Sequence, residues 1–319
     1  MADYKGIKGF TIPTVSSDPD NPIIGQIWYN SDSATLKGEV VGVGTWASGG
    51  NMNTARYYSG GSGTQGAAIH FGGGTPSASV LAETYDGTSW TEVNDLNTAR
   101  SYIGSASAGT QAATLAMGGS AIPSYYSICE SWNGTSWTEV NDLNSVHAAP
   151  GTGGTSTAGL CAAGGQGPPG TTLDSEEFNG TCWVEGNNVN TAKNYPGSFG
   201  TQTAAIIASG APGGAAVEQY NGTSWTEVSD VNTGAAGRAG AGTTSIGIVY
   251  GLDGSPNTIT EKWDGSAWTE VGDLATGGYG RGHAGTGSVA LSGGGGAPVY
   301  ATTEEWNAPD TTTVTVTTS

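Results

Sequence analysis

The sequence predicts an all-β fold assembled by repetition, on three observations. A phrase, "YDGTSWTEV" from Tyr85, returns as "WNGTSWTEV" from Trp132, "FNGTCWVEG" from Phe178, "YNGTSWTEV" from Tyr220 and "WDGSAWTEV" from Trp263. Its tryptophan, counted together with Trp46, recurs at positions 46, 90, 137, 183, 225 and 268, at intervals of 44, 47, 46, 42 and 43. No segment carries the apolar spacing of a helix. Units of about 45 residues, each punctuated into four short strands, have the size of propeller blades, so the expectation is a six-bladed β-propeller.

Each unit reads in the same order. A Gly-Thr turn (Gly63, Gly109, Gly154, Gly200, Gly242, Gly285) separates the first strand from a run of small apolar residues such as "AAIHFGGG" or "GLCAAGG". A longer Gly/Pro loop follows, and then a strand with glutamate two places before an aromatic: Glu83 with Tyr85, Glu130 with Trp132, Glu176 with Phe178, Glu218 with Tyr220, Glu261 with Trp263 and Glu304 with Trp306. An Asn/Asp-Gly pair comes next, expected to form a two-residue hairpin with both residues at positive φ. The tryptophan strand closes the unit. Gly- and Ala-rich strands are expected nearest the axis, with the aromatic columns filling the wider gaps between blades. The last unit stops at Trp306-Asn307-Ala308, and the orphan "GVGTWASG" around Trp46 supplies its missing strand. The N-terminal strand is therefore expected to close the last blade, removing two exposed sheet edges. The organisation read from this is an attachment segment at 1–38, the propeller at 39–308 and a C-terminal tail at 309–319.

Composition narrows the function. Of 319 residues 56 are glycine, charged residues make up 11%, and the net charge is −18 with only nine Lys and Arg. Nucleic-acid binding needs cations to neutralise phosphates, so it is not expected. No apolar run is long enough to span a membrane, so no membrane insertion is expected, and the first residues lack the apolar core of a secretory signal. Cys129, Cys161 and Cys182 have no metal-type spacing and read as small buried residues.

The double glycines at Gly72-Gly73, Gly118-Gly119, Gly164-Gly165 and Gly293-Gly294, the Glu-x-aromatic-[Asn/Asp] strand and the Trp strand together resemble the kelch family. This resemblance covers residues 39–308 and implies a kelch-like six-bladed propeller. The double glycine is lost at Ser209-Gly210 and Gly251-Leu252, so the fourth and fifth units depart from the pattern. Outside the repeat, "GQIWYNSDSATLKG" is similar to a short element near the start of phage tail-fibre and virion-surface proteins. That resemblance implies a bacteriophage virion protein made in the bacterial host cytoplasm, joined to other virion proteins through residues 1–38.

Catalytic chemistry is hard to find. His70, His147 and His283 fall at different places in three units, and no cofactor or metal motif is present. Galactose-oxidase-type propellers would need convergent His, Tyr and Cys ligands. "YDGTSW" imitates the Asp-box of sialidases with one residue fewer in the turn. The glutamates two places after each Trp (Glu92, Glu139, Glu185, Glu227, Glu270) repeat one environment, where a catalytic pair needs two different ones. "SSDPDNP", from Ser16, is the best candidate for a Ca²⁺ loop. A basic column, Arg56, Arg100, His147, Lys193, Arg238 and Arg281, reads as structural ion pairs with the Glu83 column or as an anion or sugar-acid site on the axis.

Strand order places the constant turns on one face and the variable loops, such as "GSAIPSYYSIC" and "GQGPPGTTLDS", on the other. Tyr57, Tyr58, Tyr102, Tyr125, Tyr126, Tyr195 and Tyr279 gather on the variable face, with Arg56, Arg100 and Arg281 beside them. Tyrosine among small polar residues suits contact with a host-surface glycan or protein. The expectation is a non-enzymatic virion structural protein, a tail fibre or surface appendage. Alternatives are a capsid decoration or tail collar protein, and a carbohydrate-active enzyme of hydrolase or galactose-oxidase-like type.

Overall fold

A computed structural model describes residues 12–20, 26–41, 44–75, 77–167, 170–212, 214–296, 298–308 and 311–316. Parts of the expected attachment segment (1–11, 21–25) and tail (309–310, 317–319) lie outside the described residues. The chain divides into two compact units: residues 45–307, and residues 1–44 together with 308–319.

The larger unit holds six four-stranded antiparallel sheets, and no helix occurs among its described residues. Sheet I runs Gly60–Thr64, Ala67–Phe71, Ala82–Tyr85, Trp90–Val93, each strand beside the next. Sheets II to V repeat that order from Gly104, Gly151, Gly197 and Ala239. Sheet VI takes Gly282–Gly285, Val289–Gly293 and Thr303–Asn307 from one end and Thr45–Ser48 from the other, with Trp306 opposite Trp46. These repeated sheets fit a β-propeller.

The first strands of successive sheets lie side by side, and that of sheet VI lies beside that of sheet I. At some of these contacts no side chain fits: a Cβ on Gly61 would collide with the backbone of His283. Glycine is used there because nothing larger fits. Farther out the gaps widen and aromatics fill them. Each Trp packs on the aromatic directly across the pair, with ring centroids 5.0 Å apart for Tyr85–Trp90, 5.3 Å for Trp132–Trp137 and 5.4 Å for Trp46–Trp306. Phe71, Ile69 and Ala82 of sheet I share one core with Trp132 and Trp137 of sheet II.

Three expectations are corrected. The Asn/Asp-Gly hairpin is not a two-residue turn: Tyr85 pairs with Trp90, so the connection is Asp86–Ser89, and only Gly87 has positive φ. Asp86 is selected for its carboxylate, which accepts the amides of Thr88 and Ser89 at 2.9 and 2.8 Å. Those bonds hold its pKa down to about 2. Asn133, Asn179 and Asn221 cap the same amides with a side-chain carbonyl. Second, Cys129 and Cys161 are buried but Cys182 is exposed, since its place in the turn is one that other units give to serine.

Third, the smaller unit departs from the expected boundaries. Thr14–Val15, Ile27–Asn30, Thr35–Val41 and Thr311–Thr315 form one sheet, so the end of the chain supplies a strand where a tail was expected. Asp18 organises this sheet. It accepts Trp28 Nε1 at 3.0 Å, Asn30 Nδ2 at 2.7 Å and Lys37 Nζ at 2.6 Å. The "SSDPDNP" carboxylate proposed for Ca²⁺ is thereby engaged by donors from "WYN" and by Lys37, while Asn21 and Pro22 lie outside the described residues.

The Lys37 ammonium, then Asn30 and Trp28, hold Asp18 at about 2 against an ordinary 3.8. A carboxylate with a depressed folded pKa stabilises the fold above its unfolded value, and that contribution disappears as pH falls through the folded one. The indole N–H signal of Trp28 in NMR should therefore shift as pH falls from about 4 towards 2. In Asp18→Asn it should start at the displaced position and show no such titration.

Candidate functional site

Each sheet of the larger unit contains one buried carboxylate, and each carboxylate is met by a basic side chain. Arg56 reaches Glu83 at 2.5 Å, Arg100 reaches Glu130 at 2.9 Å and Arg238 reaches Glu261 at 2.9 Å. His147–Glu176, Lys193–Glu218 and Arg281–Glu304 stand at 3.3 Å. The second carboxylate oxygen is bonded as well. In sheet I the Asn53 amide and backbone N–H reach Glu83 Oε2 at 3.0 and 2.7 Å, and Thr54 N–H reaches Oε1. The same pattern recurs from Asn97, Asn144, Asn190 and Asn232, while Ala275 gives sheet VI the backbone bond alone.

The cations reach these carboxylates from two places in the sequence. In sheets I to IV the cation lies three residues after the Asn; in sheets V and VI it lies six after Asn232 or Ala275. Arg238 and Arg281 therefore reach the equivalent partner from a position three residues later in the chain. Burial lowers the pKa of all four arginines and of Lys193, and the paired glutamates oppose that fall. The structure thus places Arg56, Arg100 and Arg281, nominated as ligand contacts, in buried pairs at 0%, 0% and 3% exposure. Their charge is satisfied inside the sheets, so they are not surface contacts.

The segment that runs into each first strand leads to the tyrosines. Residues 58, 102, 149, 195, 237 and 280 all have positive φ. Each donates its N–H to the carbonyl of the one before: Tyr102 to Tyr58 at 2.9 Å, Ala149 to Tyr102 at 2.8 Å, Tyr195 to Ala149 at 3.1 Å, Gly237 to Tyr195 at 2.9 Å and Gly280 to Gly237 at 2.8 Å. Tyr58 N–H bonds Gly280 O at 2.6 Å, so the series returns to its start. Gly237 and Gly280 take this conformation freely. Tyr58, Tyr102 and Tyr195 take it at a cost of roughly 1 kcal/mol each.

Five rings converge there. Tyr58 lies 4.4 Å from Tyr102, 5.2 Å from Tyr195, 5.5 Å from Tyr279 and 5.3 Å from Tyr57, centroid to centroid. All five are half-buried. Burial raises the pKa of Tyr58 and lifts Tyr102 to about 12, so both hydroxyls stay protonated at neutral pH. Beneath them is a cavity of about 60 Å³, lined by Ser105, Thr152, Ser198, His283 and the flanks of Arg238 and Arg281. It has room for about two water molecules. Tyr125 belongs to a hairpin, Ser120–Ala121 with Ser124–Tyr125, whose base is bridged to Ser101 beside Tyr102. Tyr126 lies outside the ring cluster, with its N–H on Gly119 O.

Asn194 is the residue that sequence reading missed. It stands beside Tyr195 in the row Tyr57, Ser101, Ala148, Asn194, Ala236, Tyr279, and the signal was its departure from the tyrosines and small residues of that row.

No protein-family model matches the chain, and no curated protein sequence matches it. Among solved structures it is similar to YjhT, with 13% identity, a TM-score of 0.65, and coverage of 84% of this chain and 97% of that one. At this identity the likeness speaks for the fold alone, and it fits a β-propeller.

Burial lowers the pKa of His283 to about 4 and that of His70 well below 6.5. The unfolded chain then binds more protons than the folded one below pH 6.5, so stability present above that pH is lost as pH falls towards 4. Denaturant midpoints measured from pH 7 to 4.5 should fall steadily, and His283→Gln should flatten the slope.

Proposed function

We propose that the larger unit is a closed six-bladed propeller serving as a non-enzymatic attachment protein, and that its tyrosine face binds a host-surface glycan or protein. Closure is supported by the pairing of Trp46 with Trp306 and by the backbone bonds that return from Gly280 to Tyr58. The observation that carries the binding reading is the left-handed backbone of Tyr58, Tyr102 and Tyr195. Glycine takes this turn without strain at Gly237 and Gly280, and Ala149 bears the strain without a ring, so it is the convergence of the three tyrosine rings that sets these positions apart. Retaining strained tyrosines whose rings converge favours a working surface over a structural plug.

The sequence resemblance of residues 25–38 to virion-surface proteins supports placing the chain on a bacteriophage particle, with the smaller unit as its attachment to neighbouring proteins. The commitment of every cation of the column to a glutamate favours recognition by shape and hydrogen bonds over capture of an anion.

Replacing Tyr57, Tyr102 and Tyr279 together by serine should weaken adsorption of the full chain to envelope preparations of the bacterial host by more than about tenfold. Near-ultraviolet circular dichroism of the tryptophans should be preserved. Unchanged adsorption, or turnover of the envelope polysaccharide by the purified chain, would contradict the proposal. Immunogold electron microscopy of intact particles tests the location.

A further inference from the structure

Beside the ring cluster lies a second depression with a different character. It is a cleft of about 200 Å³ lined by Tyr125, Tyr195, Asn194, Ala148 and the glycines of the Gly165–Gly167 and Gly170–Thr171 hairpin. Three consecutive repeats build it, contributing Tyr125, the glycine hairpin and the Asn194-Tyr195 pair in turn. The glycines give it a flat floor: Gly167 lies so close under Tyr125 that a Cβ there would touch the ring at 3.4 Å. Burial, followed by the neighbouring Tyr125 hydroxyl, raises the pKa of Tyr195.

Asn194 makes the cleft more than a gap. Its side-chain oxygen is buried, with no hydrogen-bond partner among the described residues. A buried amide left unpaired is costly, and such groups are normally satisfied by protein, water or ligand. This oxygen sits at the wall formed by Gly165, where an added Cβ would stand 3.4 Å from it. Gly165, which also lines the cleft, leaves the space beside this oxygen unfilled by any side chain.

We propose that this cleft is a subsite for one uncharged pyranose ring, stacked by its C–H face on tyrosine and bonded through a hydroxyl to the Asn194 amide. The inference rests on the attachment reading and names the ligand class. Size supports one ring, since clefts for drug-sized molecules run to about 300–1,000 Å³. Chemistry supports a sugar: tyrosines supply an apolar face with a polar edge, and the unmet amide suits a hydroxyl. Charge supports a neutral one. The net charge is −18, and the cation nearest in sequence, Lys193, is committed to Glu218.

Saturation-transfer NMR on the full chain tests this, with methyl glycosides of glucose, galactose, mannose and N-acetylglucosamine set against glucuronic and N-acetylneuraminic acids. At least one neutral pyranoside should receive saturation, with both acids silent. Binding should weaken about tenfold or more in Tyr125→Ala and Asn194→Leu. It should weaken likewise in Gly165→Ala, which the fold accommodates because the new Cβ meets nothing closer than 3.4 Å. Val184→Ser, on an outer strand, should bind as the parent does. Binding that survives these three changes but is lost on replacing Tyr57 and Tyr279 would overturn the subsite and leave the attachment reading standing. So would a chain that adsorbs to host envelopes yet binds none of the neutral glycosides, or prefers the acids.

Discussion

A buried carboxylate in every repeat is the constraint from which the rest of the larger unit follows. Glu83, Glu130, Glu176, Glu218, Glu261 and Glu304 each sit where water is excluded, and an uncompensated charge there would be strongly destabilising. Each therefore collects a basic side chain and backbone N–H donors, and the segment supplying them is the one that leads from one sheet into the next. Folding that segment around the glutamate fixes where the following residues emerge. The tyrosines stand on those residues. Arg238 and Arg281 show how strict the demand is, since they meet it from another position in the sequence when the usual one is occupied by Ala235 or Gly278.

That constraint also divides the chemistry of the molecule. Cations that a sequence reader would assign to ligand capture are used internally, and what remains at the tyrosine end is aromatic, amide and hydroxyl. That end presents aromatic faces, with the Tyr58 and Tyr102 hydroxyls protonated at neutral pH. The cavity under the rings is small and belongs to the packing of the inner strands. The roomier cleft lies off to one side, where the loops of successive repeats differ most.

Much of the fold was legible in the sequence because repetition amplifies weak signals. One Trp or one Glu-x-Tyr says little, but six at a steady interval define strand, partner and orientation, and the pairing of Trp46 with Trp306 followed from counting alone. What escaped was information carried by geometry within a repeat. Asp86-Gly87 looks like a two-residue hairpin, yet cross-strand packing of Tyr85 on Trp90 sets a longer connection in which the Asp side chain caps the turn. The strand Thr311–Thr315 was taken for a tail because its partner, Thr35–Val41, lies far away along the chain. The basic column looked uniform although Arg238 and Arg281 stand six residues, where the others stand three, after the position whose backbone N–H bonds the glutamate, and only the structure shows that both spacings reach the same partner. Asn194 stands out in its row of the repeat, but that its side-chain oxygen lacks a partner shows only when its surroundings are known.

Hydrogen–deuterium exchange of the full chain, with and without a bacterial envelope polysaccharide of the kind proposed as its ligand, tests the central claim most directly. The account predicts new protection confined to the segments around Tyr57-Tyr58, Ser101-Tyr102, Ser124-Tyr125, Asn194-Tyr195 and Tyr279-Gly280, with the outer strands unchanged. Protection centred on the outer strands, such as Trp90–Val93 or Trp225–Val228, would contradict it.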